Sequence, residues 1–291
     1  MKRISAFTTA LAIGLSASPV VGYDFGDMKT RVIHGLEGPS KARSISNAVH
    51  GNAPLATEGI ATLTGRNLRT RFWTIPENGI VPIHDHANRP AVFTILSGEI
   101  YEYTSTSPDR VLHKTGGLAL EEGALAHWWL NEGAETVHLI AFDVFAPGKN
   151  AVREVSGRPQ AAKLAAPADH KAEHLFLGAV DIGGHFDDGT GEGLGLTTYR
   201  TTIEPGGSFA DFTTAGEPLQ VFVWQGEVLK HSSDGQDVLA AHTGDSLATG
   251  ETAWWENTSD TPAVLYFGVV EPLSEVAGLK AHGIIAHGYA E

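Results

Sequence analysis

The sequence predicts an all-β protein built from two β domains in tandem, each a sandwich or a barrel, and three observations carry that prediction. From Leu68 onward, short runs of β-forming residues alternate with turns rich in Gly, Pro, Asn and Ser. No apolar stripe at helical spacing competes with them. The pattern also repeats. Thr74-Ile75-Pro76-Glu77-Asn78-Gly79 matches Thr202-Ile203-Glu204-Pro205-Gly206-Gly207, and Gly98-Glu99 matches Gly226-Glu227 at the same offset. Lys114-Thr115-Gly116 matches His242-Thr243-Gly244 in that register. Trp128-Trp129-Leu130-Asn131 matches Trp254-Trp255-Glu256-Asn257 two residues closer.

Taken in order, the chain begins with an export address. Lys2 and Arg3 precede a short apolar run from Ala6 to Leu15, and Val20-Val21-Gly22 sets up cleavage after Gly22. Residues 1–22 therefore read as a secretory signal peptide. The mature protein is expected to be soluble and exported, with a bacterial periplasm as the expected compartment. No segment approaches the roughly 20 apolar residues of a membrane span. Residues 23–54 read as an N-terminal arm of one or two strands, in which His34 and His50 stand without a partner at ligand spacing. The first β domain is expected over 55–147, with strands at 68–75, 91–96, 100–104, 111–114, 124–130 and 136–145. Residues 148–171 read as a linker, 172–273 as the second β domain and 274–291 as a tail.

Composition narrows the function classes. The chain has 291 residues, 42% hydrophobic and 19% charged, which is a globular balance. A net charge of −14 argues against nucleic acid or an anionic membrane as partner. With no Cys, disulfides, thiolate ligands and cysteine nucleophiles are excluded. There is no Gly-x-Ser-x-Gly elbow, and the Gly-rich run 188–193 lacks the Lys and hydroxyl that end a phosphate loop.

The chemistry concentrates between Gly79 and Asn131. His84 and His86 stand two apart, so on a strand they share one face. His127 lies on a later strand able to meet them. Three neutral imidazoles converging on one point make a transition-metal site with open coordination positions. By alternation, Phe93 and Ile95 face inward if Ala91 does, and Trp129 does so if His127 does. Phe93 and Trp129 then wall a pocket for a small ligand, with Arg89 at its mouth. Arg69 and Arg71 share a strand face, which reads first as solvent-facing and second as a partner for a substrate carboxylate. Tyr101 and Tyr103 offer hydroxyls, but nothing in the sequence selects either.

These residues resemble the motifs of the cupin family. Gly79, His84, His86 and Gly98 resemble its first motif, and Gly116, Gly123, His127 and Asn131 its second, with Glu121 standing where that motif has Pro. The resemblance covers both repeats, so the chain resembles a bicupin, whose barrels are double-stranded β-helices or jelly rolls. It implies metal ligands at His84, His86 and His127. The family's glutamate ligand falls at Ala91, leaving a three-His centre whose metal is the more positive for lacking a carboxylate. Glu99 and Glu122 are poorly placed to replace it. In the second repeat, His84 becomes Phe212, His86 becomes Thr214, Ala91 becomes Leu219 and His127 becomes Ala253, so that domain carries no ligands. The resemblance implies one divalent transition metal, Fe(II) first, with Zn, Mn, Cu or Ni as alternatives. The expected function is a dioxygenase-type oxidoreductase acting on a small-molecule substrate, as a monomer or homodimer. A non-catalytic ligand-binding or metal-binding protein, or a metal-dependent lyase, isomerase or decarboxylase, are the alternatives.

Overall fold

The computed structural model describes residues 23–55, 63, 65–123, 125–147, 167–186, 189–210, 219–247, 251–274 and 276. The signal-peptide reading, Phe212, Thr214, most of the 148–171 linker and most of the tail lie outside the described residues.

The arm holds three strands, not the expected one or two. β1 (Thr30–Ile33) and β2 (Leu36–Pro39) form a hairpin, and β3 (Ser46–Pro54) joins the sheet that follows. That sheet runs β3-β4-β11-β6-β9, with β4 at Asn67–Ile75, β6 at Ala91–Ser97, β9 at Leu118–Glu121 and β11 at Val137–Phe145. Facing it is the sheet β5-β10-β7-β8, with β5 at Ile80–Asp85, β7 at Glu99–Thr104, β8 at Val111–Lys114 and β10 at Ala126–Leu130. Alternation places Trp73, Ile75, Phe93, Ile95 and Trp129 between the two sheets in one buried cluster. Nearly every residue in these strands is thus assigned to a face by its parity.

The remaining strands form one larger antiparallel sheet. They are β12 (His170–Asp181), β13 (Leu194–Phe209), β14 (Leu219–Gln225), β15 (Glu227–Ser232), β16 (Gly235–Ala240), β17 (Thr243–Leu247), β18 (Ala253–Glu256) and β19 (Ala263–Pro272). Their order is β16-β15-β18-β13-β19-β14-β17, with β12 on β13. The protein is therefore all-β, as the sequence predicts.

The repeat is visible atom by atom. Asn131 donates from Nδ2 to the carbonyls of Ile75 (2.9 Å) and Glu135 (2.7 Å), and Asn257 donates to those of Ile203 and Thr261, both at 2.8 Å. Each asparagine's Oδ1 then accepts the amide two residues on, that of Gly133 or Ser259. A buried amide that ties the end of one strand to a neighbouring turn cannot be replaced without leaving those carbonyls unpaired. Gly98 and Gly226 open β7 and β15 with φ of +81° and +75°. In that left-handed region a side chain is strained, and a Cβ would also press on Val137 or Ala263.

Two sets of strands share a third buried cluster. Val92, Ile140 and Phe142 of the first set pack with Leu196, Phe222 and Tyr266 of the second. On the opposite side, the arm lays Leu36 against Ile80, Ile83, Tyr103 and Trp128. Tyr103 stacks on Trp128 at 3.9 Å between ring centroids, and Tyr101 packs against the same cluster. Both tyrosines therefore belong to the outer face of β7, away from the histidines, because their odd parity opposes that of Glu102.

Candidate metal centre

β5 and β10 run antiparallel with His84 directly opposite His127. His86 follows β5 on the same face. The ring centroids stand 4.5 Å apart for His84 and His127, and 5.0 Å apart for both other pairs. A fourth group joins them. Glu121, at the end of β9, puts an Oε2 at 2.6 Å from His86 Nε2. One ligand atom from each of His84, His86, Glu121 and His127 lies within 4.8 Å of all the others.

The carboxylate expected to be missing is thus present, supplied by a neighbouring strand. Ala91 is the cross-strand partner of Glu121 in the β6–β9 ladder. Where the family places its glutamate on β6, this chain keeps a small residue there and lets the adjacent strand project the acid over it. The sequence signal for this was the acid at Glu121 in a short alternating run, Leu118-Ala119-Leu120-Glu121. Gly116-Gly117 in front disguised the run as a turn.

Each imidazole is fixed from behind. His84 Nδ1 faces the carbonyl of Pro82 at 2.8 Å, and His86 Nδ1 faces the carbonyl of Arg89 at 2.7 Å. His127 Nδ1 faces Glu102 Oε1 at 2.6 Å. Carbonyls and carboxylates only accept, so each Nδ1 carries a proton and each ring turns its Nε2 toward the other rings. The indole N–H of Trp129 also lies 3.0 Å from His127 Nδ1. A carboxylate is the stronger partner and sets the tautomer. Glu102 also takes a bond from His113 Nε2 at 2.8 Å. Burial pulls its pKa up, but the bonds from His113 and His127 prevail and hold it down at about 2.

The electrostatics match a cation position. Burial pushes His84 well below its usual value, helped by repulsion from His127 and His86. Burial takes His86 down to about 4, with Arg89 adding to the shift. Burial raises Glu121 to about 8 against the pull of His127. His86 Nε2 and both Glu121 oxygens are buried without a hydrogen-bond partner of good geometry. His127 Nε2 and His84 Nε2 stand 3.1 Å apart, within hydrogen-bond distance. With its pKa at about 8, Glu121 carries a proton at neutral pH that a divalent ion would displace, and the donor set fits such an ion. Three imidazoles and a carboxylate suit a first-row divalent metal.

The other predicted site residues fall around this cluster. Phe93 stands 6.4 Å from His86, and Trp129 6.0 Å from His127, ring to ring. With Trp73, Val81, Leu139 and His84 they line a small cavity of about 10 Å³. Arg89 contributes its carbonyl to His86, and its charge bears on His84, His86 and Glu121. Arg69 and Arg71 do not face solvent. They lie on the inner face of β4 and both pair with buried Asp143, at 2.6 and 3.0 Å.

In the second set of strands the counterparts that lie among the described residues are apolar. Ala253 stands in place of His127, and Leu219 pairs with Leu247 as Ala91 pairs with Glu121. Among the described residues, only the first set gathers a group able to hold a metal.

No protein-family model and no curated protein matches the chain. Solved structures do. A cupin 2 conserved barrel domain protein from Leptotrichia buccalis is 11% identical, over 80% of this chain and 91% of its own, with a TM-score of 0.45. A protein described as glyoxylate-induced from Pseudomonas aeruginosa is 13% identical, over 79% and 81%, with a TM-score of 0.51. A salicylate 1,2-dioxygenase from Pseudaminobacter salicylatoxidans is 13% identical, over 73% of each chain, with a TM-score of 0.47. The chain has the cupin fold. At these identities the likeness speaks to fold alone.

Proposed function

We propose that this protein is an exported metal-dependent oxidoreductase of the dioxygenase type, with a mononuclear centre held by His84, His86, His127 and Glu121. The observation that carries the proposal is the convergence of three imidazoles and a fully buried carboxyl group on one point. A divalent iron held there supplies Lewis acidity and one-electron redox capacity, with coordination positions left over for substrate and dioxygen. The chain's own residues do the rest. Pro82, Arg89 and Glu102 fix the three rings, so the ligand set is ordered in advance. Trp73, Phe93 and Trp129 exclude bulk water from the approach to His84. The two-barrel organisation, with domains at 55–147 and 172–273, leaves the second domain a structural cover for the first. Export rests on residues 1–22, and amino-terminal sequencing of secreted protein should then begin at Tyr23.

The test is metal analysis of the purified mature chain beside His84→Ala, with oxygen uptake followed over a substrate panel. Iron in the wild type, its loss in the variant and consumption of O2 support the proposal. Equal trace metal in both proteins sinks the centre. Iron without oxygen uptake, or native zinc, favours the lyase, isomerase or decarboxylase reading. A second reading, a non-catalytic binding protein, is favoured by the size of the cavity. At about 10 Å³ it has room for about one water molecule, far below the roughly 300 Å³ at which small-molecule pockets usually begin.

A further inference from the structure

The metal-binding carboxyl group stands on a slender support. β9 has four residues, lies at the edge of its sheet and is laddered on one side only, to β6. Glu121 is its last residue. The end of a short edge strand opens easily, because backbone groups that leave the ladder there are taken up by water. A ligand so placed needs a hold from outside the sheet to stay in register with the imidazoles.

The second set of strands supplies that hold. Successive residues of β9 face opposite ways. Ala119 and Glu121 face the space between the first two sheets, toward Phe93 and the histidines. Leu118 and Leu120 face away, into a buried cluster shared with Val180 of β12 and with Ile182 and Phe186 just beyond it. Two residues after Glu121, the backbone N–H of Gly123 donates to His185 Nδ1 at 3.1 Å. An amide N–H only donates, so the ring is the acceptor.

His185 is itself braced. Its own N–H reaches the carbonyl of Ile182 at 3.4 Å, and the N–H of Ile182 donates to the carbonyl of Leu194 at 3.0 Å. The Gly183 N–H donates to Asp181 Oδ1 at 2.8 Å. The guanidinium carbon of Arg66, at the start of β4, lies 4.3 Å from the centre of the Phe186 ring. The line of support therefore runs from a segment fixed at both ends, through His185 and Gly123, to Glu121. It crosses from the set of strands without ligands to the set that holds them.

We propose that His185 is a positioning residue for the metal centre: together with the apolar cluster of Ile182 and Phe186 on β9, it holds Glu121 among the three imidazoles. The proposal rests on the metal reading above and deepens it. The second set of strands then takes part in the centre, although the ligands all belong to the first.

Wild type, His185→Ala and His185→Asn are compared as mature chains in two measurements. Asn keeps an acceptor oxygen where Nδ1 stands, and Ala keeps none. The first measurement is amide hydrogen exchange of residues 118–123 in the metal-free proteins. Exchange there should quicken in His185→Ala, with β10 and β11 unchanged, and should slow again in His185→Asn. The second is cobalt(II) binding by competition with a chelating dye, with the visible spectrum recorded at saturation. Affinity should fall about 2- to 10-fold in His185→Ala, the reach of one hydrogen bond. The cobalt bands should shift as the carboxylate sits differently on the ion, and His185→Asn should recover both readings. A substitution that only loosened the fold would quicken exchange throughout and leave the saturated spectrum alone. Unchanged exchange at 118–123, faster exchange that spreads through β10 and β11, an unaltered affinity or spectrum in His185→Ala, or no recovery in His185→Asn overturns the proposal. A wild type that binds no cobalt(II) sinks the metal reading alone, and the exchange comparison then decides whether His185 holds β9.

Discussion

Each of the three imidazoles turns the same nitrogen away from the metal position, and each finds an acceptor there. Two of those acceptors are backbone carbonyls, which no substitution removes. The third is Glu102, which makes His127 the ligand whose orientation is open to mutation. Glu102→Gln keeps the shape but removes the charge, and its amide can present a donor where His127 needs an acceptor. Metal affinity should fall about 10- to 100-fold, measured by competition with a chelating dye, while the far-ultraviolet spectrum of the fold stays unchanged. A variant that holds metal as tightly as the wild type would show that Glu102 serves only packing. Spacing made His84, His86 and His127 legible in the sequence, because a two-residue step on a strand places both rings on one face. Glu102 and Glu121 were not legible. Each acts from a different strand, and nothing in a one-dimensional pattern says which acid a register will bring behind, or beside, a given ring.

Among the strands, β9 shows how the scaffold supplies the carboxylate that β6 lacks. The pair Ala91 and Glu121 places a small residue beneath an acid, whereas Leu219 and Leu247 fill the same ladder position with hydrocarbon. The second sheet is thus a natural control for the first. Glu121→Leu should abolish stoichiometric metal binding and leave a folded barrel. The metal-free variant should be about 1 kcal/mol or more stabler than the metal-free wild type, since it no longer buries a carboxyl whose oxygens lack partners. Metal content and thermal unfolding together check this, and a variant that binds metal normally would remove Glu121 from the ligand set. β12 supplies a second test. His174 pairs with Thr201 across to β13, bonds its hydroxyl at 2.7 Å and stacks between Tyr199 and Phe209. Burial lowers its pKa from 6.5 to about 4. The folded state therefore binds its proton more weakly than the unfolded state does. The stability tied to the neutral ring is present above pH 6.5 and lost as pH falls toward 4, by about 3 kcal/mol. Denaturant unfolding at pH 7 and pH 4 should show that loss in the wild type, and His174→Phe should show a smaller one. Equal pH dependence in the two proteins would assign acid sensitivity elsewhere.

At the scale of the molecule, the two sets of strands are fused through a core that neither repeat shows by itself. Sequence alternation told which residues of β6 face inward but not those of β4, and the repeated Trp-Trp-x-Asn put equivalent asparagines just past the ends of β10 and β18. It did not tell what lies against the other faces. β11 is buried along both faces from Leu139 to Val144, so its pattern is a continuous apolar run broken by Asp143, and parity carries no information in such a run. Its outward residues meet the second set. Phe142 is fully buried and lies over the backbone of Gly268 on β19, while Phe72 of β4 stacks on Phe222 at 5.2 Å. Thr70 reaches Gln220 across the same seam, donating to its Oε1 at 3.2 Å. Gly268 is the position where this contact is tightest. A Cβ added there would fall against the ring and Cβ of Phe142, and a fully buried phenylalanine has no free rotamer to retreat into. Its φ is not left-handed, so alanine adopts the backbone without strain and even gains about 0.4–1 kcal/mol through the unfolded chain. Overpacking at about 1–3 kcal/mol outweighs that gain. Gly268→Ala should therefore lower the unfolding midpoint, and Phe142→Leu should offset part of the loss in the double variant, so that the two effects are not additive. Metal affinity should remain that of the wild type, because Phe142 and the ligands face opposite sides of the sheet. A neutral Gly268→Ala, or strict additivity of the pair, would show that the two sets of strands meet less closely at β19 than this packing requires.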